Sequence, residues 1–251
     1  MPAGREGYAL DMIRRQLAVR DAAQDPVFRW RGAEISRLEG FSDAVFAFAV
    51  TLLVVSLEVP RTFTELLAVM RGFGAFGLSF MMLTWVWYSH YQFFRRYGLS
   101  DRSTLLLNSA LLFVVLLYVF PLKFLSTLLV SLALGGADVV AVQGAGSEAS
   151  IEAAQLPTLM LIYGAGFAAI NLLLGLLHGH ALGLKSALEL TAPEVRQTRR
   201  TMLTFLGCVA VAALSSAIAL LGPNWAFLSG MSYALVPLVV LLARRFMART
   251  A

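Results

Sequence analysis

Residues 37–59, RLEGFSDAVFAFAVTLLVVSLEV, place an arginine, a serine and an aspartate ahead of a run of 14 uncharged residues from Ala44 to Leu57. A helix needs about 20 apolar residues to cross a hydrocarbon core. The stretch therefore reads as a membrane-spanning helix with an unusually polar mouth. Charge inside lipid is costly, so Arg37 and Asp43 must reach water or find partners within the protein. Either outcome points to more than anchoring.

The rest of the chain agrees with this class. Of its 251 residues 59% are hydrophobic and 14% charged, and the mean hydropathy is +0.74. This is the composition of an all-α integral membrane protein. Apolar stretches of spanning length recur at about 41–59, 67–94, 103–132, 156–182, 201–221 and 225–246, which predicts six transmembrane helices. A soluble helical protein would need polar faces that these stretches lack. A cytoplasmic N-terminal arm, 1–36, then precedes a six-helix membrane domain, 37–251.

Lysine and arginine set the orientation. Of the 20 basic residues, only Arg61, Arg71 and Lys123 fall outside the N-terminal arm, the turn between the second and third spans, the loop between the fourth and fifth, and the tail. An even number of spans with these segments inside puts both termini in the cytoplasm. The protein is then multi-pass in a cell inner membrane or plasma membrane. The sequence pI of about 9.7 reports topology, not binding to nucleic acid. Residues 134–155, rich in small residues and free of lysine and arginine, fit an outer loop. No apolar signal segment precedes residue 30. Leu10, Ile13 and Leu17 share a helical face beside Arg14, Arg15 and Arg20, which fits an amphipathic surface helix or a disordered leader equally.

Depth groups the polar residues. If the first span runs outward, the second inward and the third outward again, His90 and Asn108 lie level with Ser42 and Asp43 near the inner surface. Arg37 and Asp43 are six residues apart, too far around the helix to pair, so they address different neighbours. Two readings stay open: an interhelical polar network pinning the inner ends of the first three spans, or interfacial side chains solvated by headgroups and water.

Arg37, Phe41, Ser42 and Asp43 also form the pattern RxxxFSD at the opening of the first span. In this place the pattern resembles the signature of the transmembrane protein 175 family of potassium channels, in its prokaryotic form with one six-helix unit per chain. Trp87 and His90 in WYSHYQFF, residues 87–94, and Asn108 in LLLNSALLFVVLL, residues 105–117, extend the resemblance. Spans four to six agree in number and hydrophobicity only. The resemblance implies a homotetramer with the first helix of each subunit around a central pore, K+ as the permeant ion and no cofactor. It also implies a potassium-selective channel of modest selectivity, with partners limited to other copies, membrane lipid and K+. The chain has no TVGYG-type filter loop. The family's hydrophobic constriction and its neighbouring hydroxyl ring fall on Phe48, Thr51, Leu52 and Val55. The aromatic Phe48 departs from the aliphatic residue usual there. Without the family, Phe48, Leu52 and Val55 read as ordinary packing or lipid-facing residues, and Glu58 as a solvated helix end or a ring of charge at the outer mouth.

The competing function is a small secondary transporter or cation/proton exchanger. Coupled transport usually uses ionisable groups or matched helix breaks near the midplane, and neither is evident here. No nucleophile and base share a depth, so the chain is not expected to be an enzyme. Lone Cys208 reads as a small buried hydrophobe. Gly175, Gly179 and Gly183 form a small-residue seam for helix packing. His178 and His180, two apart, point to different faces and fit helix contacts better than a metal site. Lys123 reads as snorkelling to the outer interface.

Overall fold

The computed structural model describes residues 27–32, 34–55, 60–133 and 153–248. Leu10, Ile13, Leu17, Glu58 and nearly all of the predicted outer loop lie outside the described residues.

Seven α-helices are present among them: α1 (Arg37–Val55), α2 (Phe63–Tyr97), α3 (Arg102–Ala133), α4 (Leu156–Gly183), α5 (Ala192–Ala219), α6 (Ala226–Met231) and α7 (Val236–Ala248). Helices α1, α3, α4 and α5 and the stretch 223–243 are five elements long and apolar enough to cross a membrane. The fold is thus an all-helical membrane protein with several apolar spans. Helix α2, with 35 residues, also has the length.

Local chemistry explains the boundaries. Thr62 Oγ1 accepts the Glu65 backbone N–H at 3.2 Å while Glu65 Oε2 accepts the Thr62 N–H at 3.2 Å, a reciprocal cap that starts α2. Gly98, at φ 60°, ends it in the left-handed conformation that costs glycine least. The start signal TAPE, residues 191–194, opens α5 at Ala192, well before the expected 201. Arg196, Arg199 and Arg200 therefore stand on the first turns of a helix and not in a loop. In the last span, the expected single helix over 225–246 is broken. A 3-10 turn at Ser232–Leu235 separates α6 from α7. Pro237 has no N–H to give the preceding turn, and the Ser232 hydroxyl donates to Ser229 O at 2.7 Å, competing with the helical ladder.

Helix α1 lies against α2 and α3, α3 against α4, and α4 along α5. The α4–α5 seam uses Gly175 and Gly179, where an added Cβ would sit 3.5 Å from Phe205 Cβ and 3.4 Å from Met202 Sδ. Gly183 meets nothing there among the described residues. Gly166 is tighter still, since a Cβ would overlap the ring of Tyr118 on α3. Cys208 is a buried free thiol.

Candidate functional site

Helix α1 has two unlike faces. Glu39, Ser42, Phe46, Ala49 and Leu53 are buried and recur every three or four residues, forming the seam against α2 and α3. Phe41, Ala44, Phe48, Thr51 and Val55 repeat the same spacing on the other side and are exposed. Phe41 is 60% exposed, Phe48 56% and Val55 71%. Leu52 is half-buried and packs against the core, so it flanks the open face instead of standing in it. The Thr51 hydroxyl donates to Ala47 O at 2.9 Å. Its proton is thereby turned into the helix, and its remaining lone pairs face outward.

At the N-terminal end of this helix the polar residues form two separate contacts. Ser42 Oγ donates to Leu38 O at 2.8 Å and is then an acceptor for Asn108 Nδ2 on α3, at 2.9 Å. That orientation turns Asn108 Oδ1 toward His90 Nε2 on α2, at 2.8 Å. Since Oδ1 only accepts, Nε2 carries the proton. His90 Nδ1 is buried with no hydrogen-bond partner among the described residues, with the rings of Phe46 and Phe94 at centroid distances of 5.5 and 4.6 Å. The neutral imidazole with the proton on Nε2 suits these surroundings. Ser42, His90 and Asn108 are all fully buried, so the chain of hydrogen bonds is sealed from water.

The second contact joins Trp87 Nε1, which donates to Asp43 Oδ1 at 2.8 Å. Asp43 is half-buried, and Trp87 stacks on Tyr91 at 5.6 Å. Arg37 is exposed at the first position of α1 and takes no place in either contact. Of the predicted inner-layer residues, the structure thus brings together Ser42, His90 and Asn108, and separately Asp43 and Trp87. It leaves Arg37 and Phe41 on the outside.

Sequence reasoning missed how the segment ahead of α1 is held. Residues 27–32 lie across the C-terminal end of α2 and the N-terminal end of α5. Glu194, 1% exposed, receives Arg31 Nη1 at 2.8 Å and Nη2 at 3.0 Å, the Arg29 N–H at 3.0 Å, and the Thr191 N–H and hydroxyl at 2.8 and 3.0 Å. Arg31 Nε also donates to Leu188 O at 2.8 Å. The backbone N–H groups of Arg31 and Gly32 both donate to Arg95 O at 3.1 Å. Phe28 is buried edge-on to Tyr97 at 5.6 Å, with the Arg96 guanidinium 4.9 Å from its ring centre. The signal for Glu194 was its place in TAPE, three residues after a helix-capping threonine. Nothing in the sequence named Arg31 as its partner, 163 residues away.

The two histidines of α4 separate as their spacing requires. His178 is buried with Phe93 and Phe205 at 5.3 and 5.4 Å, and its Nδ1 lies 2.8 Å from Leu174 O. His180 reaches the α2–α3 turn, with Nε2 2.9 Å from Asp101 Oδ2. Among the described residues, no group of three or more His, Cys, Asp or Glu side chains is set to hold a metal.

These features define a class: a helical membrane protein whose first long helix is pinned by buried polar side chains on one side and leaves an apolar face uncovered on the other. Comparison with known proteins gives the family. Residues 37–118 match the model of the endosomal/lysosomal potassium channel TMEM175. The chain is 40% identical over 225 residues to a potassium channel of Marivirga tractuosa, spanning 88% of this chain and 91% of that one. It is 33% identical over 99 residues to a potassium channel of Streptomyces collinus, 37% of this chain and 48% of that one. Among solved structures it matches the potassium channel MtTMEM175, crystallised as a variant in complex with a nanobody-MBP fusion. That match has a TM-score of 0.79 and 37% identity, and covers 90% of this chain and 98% of the other. The chain belongs to the TMEM175 family, whose members are ion channels and not enzymes.

Proposed function

We propose that this chain is the subunit of a potassium channel, a homotetramer in which α1 of each copy lines a central pore and K+ is the permeant ion. The observation that carries this reading is the pair of faces on α1. Ser42 and Asp43 are bonded to α3 and α2, with Phe46, Ala49 and Leu53 buried on the same side, while Phe41, Phe48, Thr51 and Val55 remain exposed along one line. An apolar line of this kind needs either lipid or other copies of itself. A family of ion channels favours the second.

In such an assembly the Phe48 side chains would converge on the axis. A constriction lined by aromatic rings holds a water column poorly, so ions are stopped by dewetting until the helices rotate or spread. One turn farther out, Thr51 offers oxygen lone pairs because its proton is committed to Ala47 O. A single layer of such oxygens discriminates modestly between K+ and Na+. Leu52 supports Phe48 from the side, and Val55 continues the apolar lining outward. The chain then comprises α1 to α5 and the broken stretch 223–248 as six spans, with both termini cytoplasmic in a cell inner or plasma membrane. Residues 1–36 form the arm and 37–251 the channel domain.

Purified protein in liposomes tests the reading. A potassium gradient should drive ion flux that Phe48→Ala increases, with no obligatory counter-movement of protons. Flux that stops when the proton gradient is clamped would identify an exchanger instead. Unchanged conductance in Phe48→Ala would remove this residue from the pore.

A further inference from the structure

A guanidinium carries five N–H donors, and at Arg31 each of them has an acceptor. Nε donates to Leu188 O at 2.8 Å, Nη1 to Arg29 O at 3.0 Å and Glu194 Oε1 at 2.8 Å, and Nη2 to Glu189 O at 3.2 Å and Glu194 Oε2 at 3.0 Å. All but Arg29 O come from residues 188–194, where α4 turns into α5. Glu189 lends its carbonyl at φ 49°, a left-handed conformation that disfavours a side chain. Such backbone persists where its surroundings over-determine it. The turn is thus a socket shaped for a guanidinium, and the chain's own Arg31 fills it.

The segment carrying Arg31 is fastened at a second place. Arg95 O on α2 accepts the Arg31 and Gly32 N–H groups at 3.1 Å, and Arg95 Nη1 donates to Gly32 O at 2.7 Å while its guanidinium lies 4.8 Å from the Trp30 ring centre. The fit is close, since a Cβ on Gly32 would stand 2.5 Å from Phe94 O. Residues 33–36 then lead to α1 at Arg37. Ser36 is already tied to that helix, its hydroxyl accepting the Glu39 N–H at 3.1 Å and its carbonyl the Gly40 N–H at 2.9 Å. Only a short connection therefore separates the fastened segment from the start of α1.

We propose that residues 28–32 are a latch: with Arg31 seated in the socket, they hold the N-terminal end of α1 in the position that keeps the pore closed. This rests on the reading of α1 as the pore helix. Opening such a pore takes rotation or spreading of its lining helices. A contact made in one arrangement and lost in the other favours the first.

Potassium flux per folded protein in liposomes, measured beside the melting temperature, tests the latch. Arg31→Ala is expected to raise resting flux about threefold or more with the preference for K+ over Na+ unchanged. Guanidinium ion, well below denaturing concentration, is then expected to refill the socket and raise the melting temperature of Arg31→Ala but not of the unmodified protein. It should leave the flux high, because the refilled socket no longer grips the chain. Flux in Arg31→Ala equal to the unmodified protein's overturns the latch, and so does guanidinium that restores resting flux, which would assign the effect to the charge of Glu194 alone. Phe48→Ala is run alongside. Flux raised by Phe48→Ala and not by Arg31→Ala defeats the latch only, whereas flux raised by neither defeats the pore reading as well. If Arg31→Ala does not fold, Gly32→Ala decides: it keeps the ion pair but pushes the segment off Phe94 O, and flux that stays at the resting level overturns the proposal.

Discussion

At the scale of single residues, the buried Ser42, Asn108 and His90 are the most constrained part of the molecule. Each donor in this chain has one acceptor and the order of donation runs one way, from His90 through Asn108 and Ser42 to Leu38 O. Cutting Asn108 back to alanine strands the His90 Nε2 proton among the rings of Phe46 and Phe94. An unsatisfied buried donor costs about 1–3 kcal/mol, although measured interhelical hydrogen bonds in membranes average only about 0.6 kcal/mol. Asn108→Ala is therefore expected to lower thermal stability in detergent measurably, and a melting temperature equal to the unmodified protein's would show that the chain adds no stability. Phe48 behaves in the opposite way. It is exposed in the subunit, so Phe48→Ala should leave the stability of the fold nearly unchanged while altering flux. The residue types were legible from depth and topology alone. Which of them touch was not, because two partners on different helices are joined by no fixed spacing.

At the scale of elements, the segment ahead of α1 is held by α5. Arg31 and Glu194 form a two-pronged ion pair with side-chain exposures of 15% and 1%. Removing one member of a buried pair costs about 3–5 kcal/mol, since the other is left charged and unpartnered. Arg31→Ala should therefore destabilise the protein by that order, measured by chemical denaturation, while Glu194→Gln, which keeps an acceptor, should cost less. A Glu194→Gln variant as stable as the unmodified protein would mean that charge is not what binds the segment. The α2–α3 turn is tied to α4 in a weaker way. Burial pushes the Asp101 carboxyl up, but the Thr104 hydroxyl, the His180 ring and the Ser103 N–H outweigh it and hold the group below its ordinary range. A lowered folded-state value means that this stabilisation is present above about pH 4, the usual aspartate value, and is lost as pH falls through the folded-state value. Asp101→Asn should lower the melting temperature slightly at neutral pH, with the difference closing in strong acid. The effect is small because the Asp101 side chain is 40% exposed. A gap that widens on acidification would contradict this account.

At the scale of the whole molecule, α1 stands between the body of the subunit and whatever meets its exposed face. Trp87 holds Asp43 near the N-terminal end of that helix, so the bond sets the rotation at which Phe48 and Thr51 are presented. Asp43→Ala is expected to reduce the yield of homotetramer in mild detergent and to leave ion preference unaltered in the channels that form. Normal assembly with changed selectivity would move Asp43 from a positioning role to the conduction path.

Hydropathy was enough to specify an all-helical membrane protein and the approximate place of its long helices, though not the start of α5 or the break in the last stretch, because crossing hydrocarbon demands long apolar segments whatever they pack against. The RxxxFSD pattern was enough to indicate the family. Helix starts at Phe63 and Ala192 were not anticipated from hydropathy, although the capping residues ahead of them act within one turn and carry the signal. Tertiary structure alone decided the rest: that Ser42 meets Asn108 and His90, that Arg37 stays outside, and that Arg31 finds Glu194. Each of these depends on the relative rotation and depth of separate helices. Side-chain packing sets that geometry, and an almost uniformly apolar sequence has no periodicity strong enough to encode it.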